Sequence, residues 1–249
     1  MPTAVITRAQ LDLWISPPRL ATYSSRTIEA RLAEEYQWSV RLGAAYMELI
    51  CHVEVLLRNV VHSALQAKAG PGAAWFDDDT VVKLNGPARK SIRKSRSRIH
   101  TLGQRETPDR IVAGLTFDFW RYLFTKSHQV DVWTTVRHSL RGLPGSRRRT
   151  NQFAEFEAAV VAVYDLRNRV AHHEPIRLNE ALSNLEAILL LAEYIDPAAH
   201  VWISNASQIE QVLAERPGHP RRPRALEQHC RQRRRRAATM RVYVKRIPS

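Results

Sequence analysis

An apolar pattern with helical spacing covers nearly the whole chain, and it limits the fold more than any other feature. Within residues 43–66 the pattern recurs every three or four positions, at Leu49, Val53, Leu56, Leu57, Val60, Val61 and Ala64. This spacing puts the apolar side chains on one wide face of a helix. A separate helix is predicted for 27–42, others for about 87–100 and 153–172, and strand patterns are nearly absent. The sequence therefore predicts an all-α fold, a helical bundle.

Turn residues and prolines divide this pattern. The glycines and proline of 70–72 break the chain after the first long helix. Thr107–Pro108 is typical of an N-cap followed by proline at the first helical position. Pro175 disfavours the α conformation in the residue before it, so the helix that begins near 153 should end at His172 or His173.

Composition divides the chain into two parts. Residues 1–215 carry the helical pattern and form the predicted helical domain. Residues 216–249 hold twelve Lys or Arg and one acidic residue, so they supply +11 of the overall charge of +14. Several prolines and few apolar side chains predict a disordered basic tail there. Such a tail can bind a polyanion, because Lys and Arg displace counterions from phosphates, but an arginine-rich composition also follows from a GC-rich genome.

Several features bear on the compartment. The chain has no run of about 18 apolar residues, so we expect no transmembrane helix and no membrane partner. The first residues lack a charged segment followed by an apolar one, so we expect no secretory signal. Cys51 lies in an apolar stretch and Cys230 in the basic tail. The pair fits neither a zinc motif nor an expected disulfide, which indicates a cytoplasmic protein, and nothing in the sequence indicates a cofactor.

One polar cluster stands where a helix is expected to end, in the stretch DLRNRVAHHEP. It comprises Arg167, Asn168, His172, His173 and Glu174. Histidine can accept and donate protons near neutral pH, and arginine can bind a phosphate and stabilise charge in a transition state. These groups suit RNA cleavage, in which the ribose 2′-hydroxyl is deprotonated and the leaving 5′ oxygen is protonated. The alternative is that the side chains only bind free carbonyls at the helix end.

The spacing of the two principal residues restricts how they can cooperate. Arg167 and His172 are five residues apart, which is about 140° around a straight helix. Cooperation requires the helix to end or unwind between them, or a second chain to complete the site. A similar group, Arg58, Asn59 and His62, lies within one turn on the first long helix. We interpret it as an ordinary polar stripe rather than as a second half-site.

Two basic stretches are candidate RNA-binding surfaces. One lies on the predicted helix 87–100 and the other in the loop before the motif helix; their residues are Arg89, Lys90, Arg93 and Lys94, and Arg147, Arg148 and Arg149. Both could contact phosphates, and a solvated basic face is the alternative. Neither stretch contains the aromatic side chains that stack on single-stranded bases, so contacts there would give affinity more than sequence choice.

The stretch RNRVAHHEP resembles the signature of the Abi-like family, bacterial abortive-infection proteins within the HEPN superfamily. That signature is an arginine, usually followed by a polar residue, and then a histidine after four to six intervening positions. Arg167 and His172 match it with four intervening residues. The segments ELICHVEVLLRNVVHSAL and LTFDFWRYLF are also similar to the Abi-like branch. The resemblance covers about 20–215 and leaves the basic tail outside it.

The resemblance implies a HEPN-like bundle with additional helices and a metal-independent endoribonuclease of phage defence, abortive-infection or toxin-like. It also implies a homodimer with a composite cleft. Arg167 would stabilise the phosphate, His172 would be the general base or acid, Asn168 would orient the motif, and His173 and Glu174 would support it. The alternatives are an inactive HEPN module that binds RNA or nucleotides, as a regulator or antitoxin-like partner, and a structural dimer.

Overall fold

The computed structural model describes residues 6–24, 29–143 and 152–218. These ranges form helices joined by turns and contain no β-strand, which confirms the prediction of an all-α fold. Most of the predicted basic tail and the candidate residues Arg147, Arg148 and Arg149 lie outside the described residues. No helix in the described ranges has both the length and the apolar character needed to cross a membrane.

The α-helices of the described ranges follow one another along the chain. They are α1 (Arg8–Ile15), α2 (Pro17–Ser24), α3 (Leu32–Ala69), α4 (Gly86–Thr101), α5 (Pro108–Ala113), α6 (Phe117–Tyr122), α7 (Thr134–Val136), α8 (Gln152–Ala171), α9 (Ala181–Ile195), α10 (Pro197–Ala206) and α11 (Ile209–Ala214). Short 3-10 turns lie at Glu29–Arg31, Trp75–Asp77, Lys126–His128, Arg137–Ser139 and Leu178–Glu180, and a π-helical turn covers Gln129–Trp133.

Several expected helix boundaries agree with the structure, one predicted break does not, and helices α1 and α2 were not predicted. Asn85 caps α4 by accepting the Ala88 N–H, and Thr107 caps α5 in the same way. The predicted break at 42–43 is wrong, because α3 runs without interruption from Leu32 to Ala69. A Cβ on the intervening Gly43 would meet a Val170 methyl at an ordinary van der Waals distance of 3.8 Å, so this glycine marks a packing contact.

The chain forms two compact units. The first contains the described parts of Met1–Leu49, Arg167–Leu185 and Asn205–Ser249. Its core includes Leu42 and Ile209, both fully buried. Trp38 donates from Nε1 to the Val212 carbonyl at 2.6 Å, and this bond ties α11 to α3 within the unit.

A second contact of the first unit joins α3 to α9. The Tyr46 hydroxyl donates to the carbonyl of Ala181, the first residue of α9, and burial raises the pKa of Tyr46 well above its ordinary value. A buried phenol stays neutral under such conditions, so it serves here as a hydrogen-bond donor.

The second unit contains the described parts of Ile50–Leu166 and Glu186–Ser204. Its core is rich in aromatic side chains. Phe156 of α8 lies against Phe124 and Trp133, with ring centroids 4.8 and 5.4 Å apart. Trp75 and Trp120 are fully buried in the same unit. Such aromatic contacts supply much of the apolar burial that holds short helices together.

Candidate functional site

The predicted motif lies on the last turn of α8 and in the turn that follows it. Ala171 is the last helical residue, so the predicted end near His172 or His173 is confirmed. The His172 N–H still donates to the Asn168 carbonyl at 2.9 Å, which is a normal helical bond. The helix therefore does not unwind between Arg167 and His172, and the two residues keep their wide angular separation.

Backbone atoms cap the end of α8. The His173 N–H donates to the Val170 carbonyl and the Glu174 N–H donates to the Arg169 carbonyl, both at 2.9 Å. His173 has a φ of 57°, in the left-handed region. This pattern is a Schellman motif, in which glycine is the usual residue at the left-handed position. A histidine there costs conformational energy that glycine would not.

The motif side chains take no part in this cap, which consists of backbone groups alone. His172, His173 and Glu174 are exposed, while Arg167 and Asn168 are half-buried. Within the described residues, neither histidine side chain hydrogen-bonds a carbonyl of the helix end. The alternative in which these side chains serve as caps therefore has no hydrogen bond to support it.

The two arginines of the last turn have different surroundings. Arg167 donates from Nη1 to the side-chain oxygen of its neighbour Asn168 at 3.3 Å, and no carboxylate of the described ranges forms an ion pair with it. Arg169, by contrast, forms an ion pair with Glu180 at 2.8 Å. Asn168 accordingly contacts Arg167, and the other N–H groups of the Arg167 guanidinium are available to an anionic ligand.

Glu180 links the last turn of α8 to the loop that follows it, in which His172 and His173 lie. It accepts from Arg169 on one oxygen and from Arg177 on the other, at 2.8 and 2.9 Å. The hydrogen bonds from Arg177 and Arg169 lower the pKa of Glu180, so it stays ionised at a lower pH than an ordinary carboxyl. Ile176 of the same loop is buried. Sequence reasoning missed Glu180, because it lies in a separate segment that carries no motif.

His173→Gly is expected to stabilise the protein by about 1 kcal/mol, because glycine adopts the left-handed conformation without steric cost. His173→Ala is the matched control. It also removes the imidazole but retains the Cβ, so it should give no such gain. Urea unfolding of both variants measures the difference. A glycine variant less stable than the wild type would mean that the His173 side chain contributes to folding.

The second polar group, Arg58, Asn59 and His62, lies in the second unit. His62 accepts from the indole N–H of Trp75 at Nδ1, at 2.9 Å, and its Nε2 lies 2.9 Å from Asp109. The indole has only a donor, so Nδ1 is the acceptor and Nε2 carries the proton shared with Asp109. Both ring nitrogens of His62 are thus engaged by side chains of other segments.

The candidate RNA-binding residues of α4 are not equivalent. Arg89 is half-buried, donates to the Leu84 carbonyl at 3.1 Å and forms an ion pair with Asp79. Lys90, Arg93 and Lys94 are exposed, and within the described residues they form no ion pair. Arg89 therefore supports local structure, whereas the other three keep their charges available.

In comparisons with known proteins, no protein-family model, no curated protein and no solved structure matches the chain. Among the described residues, no group of three or more His, Cys, Asp or Glu side chains could hold a metal ion.

Proposed function

We propose that the chain is an endoribonuclease of the HEPN type, in which Arg167 and His172 cleave RNA without a metal ion. The wider role proposed with it is phage defence, by an abortive-infection or toxin-like activity in the cytoplasm. The proposed assembly is a homodimer with a composite site.

One observation carries the proposal. The end of α8 is capped by the backbone N–H groups of His173 and Glu174, while the side chains of Arg167 and His172 have no ion-pair partner among the described residues. In the same turn His173 is held at a left-handed φ of 57°, and backbone strain of this kind favours a functional role for the turn. A half-buried arginine and an exposed imidazole are the two kinds of group that phosphodiester cleavage needs, and a second chain would bring them together.

In the proposed reaction, His172 takes the proton from a ribose 2′-hydroxyl. The 2′ oxygen attacks the adjacent phosphorus and forms a bond to it, while the bond to the 5′ oxygen of the next nucleotide breaks. The protonated imidazole then gives its proton to that leaving oxygen, so the products are a 2′,3′-cyclic phosphate and a 5′-hydroxyl. Arg167 binds the non-bridging oxygens, whose negative charge grows in the transition state.

A second copy of the chain is part of the proposal for a geometric reason. Because α8 stays helical through Ala171, Arg167 and His172 of one chain point in directions about 140° apart. A site that combines the arginine of one chain with the histidine of another removes this difficulty. Two such sites would form in a symmetric dimer.

The proposal is tested by incubating the full chain with RNA in the presence of a chelator. The wild type should cut, and Arg167→Ala and His172→Ala should each lower the rate by about 100-fold or more, because each removes a principal catalytic group. Arg19→Ala and His138→Ala are matched controls, since both residues are exposed and lie outside the motif.

Three other outcomes would contradict the proposal. Equal cutting by the wild type and the motif variants would indicate a different site or a contaminant. RNA binding without cutting would favour the inactive RNA-binding module. Neither binding nor cutting would leave a structural protein.

A further inference from the structure

Helix α4 has two opposite faces of different character. Its buried face consists of Ala88, Ile92, Ser95 and Ile99. Ser95 donates to the carbonyl of Ile111 at 2.7 Å and so fixes the rotation of α4 against α5. At 100° per residue, these positions fall within a narrow sector of the helix. The sequence of α4 contains no Asp or Glu, so any neutralising charge has to come from other segments.

Neighbouring segments neutralise one flank of α4. Arg89 forms an ion pair with Asp79. Arg96 forms ion pairs with Asp77 and, at 3.1 Å, with Glu106, and its guanidinium lies 5.7 Å from the Phe76 ring centroid. The hydrogen bond that Arg96 donates to Asp77 raises the pKa of Arg96. These two arginines are therefore occupied within the protein.

The cations on the opposite face of α4 are not neutralised by any carboxylate of the described ranges. Lys90, Arg93, Lys94 and Arg98, which we call the α4 basic face, are all exposed and form no ion pair within the described ranges. They occupy an arc of about 140° that is centred opposite the buried residues. Lys90, Lys94 and Arg98 follow one another at a rise of about 6 Å, so they form a row along a rigid helix.

We propose that the α4 basic face binds the phosphate backbone of a double-helical nucleic acid. A row of regularly spaced cations suits a regularly spaced polyanion. A duplex is favoured over a single strand because no aromatic side chain lies on this face to stack on unpaired bases. An acidic protein is a poorer match, because the face offers none of the aromatic or apolar anchors that stabilise protein interfaces.

This surface lies in the second compact unit and shares no residue with the motif of α8. Its test can therefore be separated from the test of the nuclease. A duplex of 2′-O-methyl RNA has no free 2′-hydroxyl, so the proposed cleavage cannot consume it. Binding to such a duplex reports on the α4 basic face whether or not the chain is a nuclease.

The experiment measures the affinity of the full chain for this duplex, for a DNA duplex and for the corresponding single strand over a range of salt concentrations. Each lost phosphate contact should reduce the slope of log affinity against log salt by about 0.9 for a duplex. Lys90→Ala/Lys94→Ala should thus reduce the slope by about 2, and replacing all four residues should weaken duplex binding by about tenfold or more.

Matched controls keep the test independent of total charge and folding. Arg19→Ala/Lys126→Ala removes the same charge from exposed positions elsewhere and should leave the slope unchanged. Lys90→Arg/Lys94→Arg should bind as the wild type does. Circular dichroism should show an unchanged helix content and melting temperature in every variant.

Three results would overturn the proposal. In the first, the α4 variants and the charge-matched control would lose the same affinity. In the second, single strands would bind as tightly as duplexes and lose as much on substitution. In the third, an acidic polypeptide such as polyglutamate would bind with the same dependence on the four residues, which would indicate a protein-docking surface.

Discussion

Mixing the Arg167→Ala chain with the His172→Ala chain should restore RNA cleavage to roughly a quarter of the wild-type rate, although each chain alone is inactive. In a composite site, a mixed dimer pairs one intact arginine with one intact histidine and leaves its second site doubly defective. Random exchange gives mixed dimers in about half of the population, each with one of two sites intact. The physical basis is the unbroken helix between the two residues, which separates them within one chain.

The matched control mixes the Arg167→Ala chain with the doubly substituted Arg167→Ala/His172→Ala chain. No combination of these chains contains an intact arginine, so no activity should return. Native mass spectrometry has to show that mixed dimers form. If they form and cleavage is still absent in the first mixture, both residues act within a single chain, and the composite site is wrong.

Replacing Arg216 with alanine is expected to destabilise the protein by about 3–5 kcal/mol, because it leaves a buried carboxylate without a partner. Glu35 is 2% exposed and accepts from Arg216 at 2.9 and 3.0 Å. The guanidinium also lies 5.4 Å from the ring centroid of Trp38. These contacts fix the first residue of the predicted tail on α3, so the packed structure continues at least one residue past 215.

A neighbouring ion pair supplies the control for this prediction. Arg41 and Glu215 also join α3 to the end of the described chain, at 3.5 Å, but their side chains are 58% and 42% exposed. Arg41→Ala should therefore cost no more than about 1 kcal/mol. Chemical unfolding of both variants gives the comparison. Equal effects would mean that the Glu35 carboxylate is hydrated and that the burial argument is wrong.

A third variant separates the cost of an unpaired charge from the value of the pair itself. Glu35→Met/Arg216→Met removes both charges and fills similar volume with apolar atoms. Such exchanges of a buried ion pair are often neutral or stabilising. The double variant should therefore be much more stable than Arg216→Ala.

The features that could be predicted from the sequence are those encoded by nearby residues. Thr107 caps α5 through an N–H three residues away, and Pro175 acts on the residue before it. The buried face of α4, with Ile92 and Ile99, follows from spacing alone. The missed helix α1 also has a local signal, since Thr7 and Gln10 form a reciprocal capping box.

Other features could not be predicted from the sequence. The motif itself could be recognised from the sequence. The backbone cap at the end of α8, which needs no motif side chain, could not be predicted, because a histidine is unusual in the left-handed position. Glu180, which pairs with Arg169, lies in a different segment from the motif. The path of the loop after α8 therefore decided which arginine of the last turn forms an ion pair. It brings Glu180 to Arg169 and leaves Arg167 without a carboxylate among the described residues.

The sequence by itself determined the helical class, several helix ends and the presence of an arginine–histidine motif at one of them, because helix periodicity and capping act over a few residues. Where the partners belong to different segments, the tertiary structure alone decided which cations are neutralised. Arg89 meets Asp79 and Arg216 meets Glu35, whereas Lys94 meets no carboxylate of the described ranges. The reason is physical: an ion pair forms only where folding brings two side chains within a few ångströms, and spacing along the chain does not encode that distance.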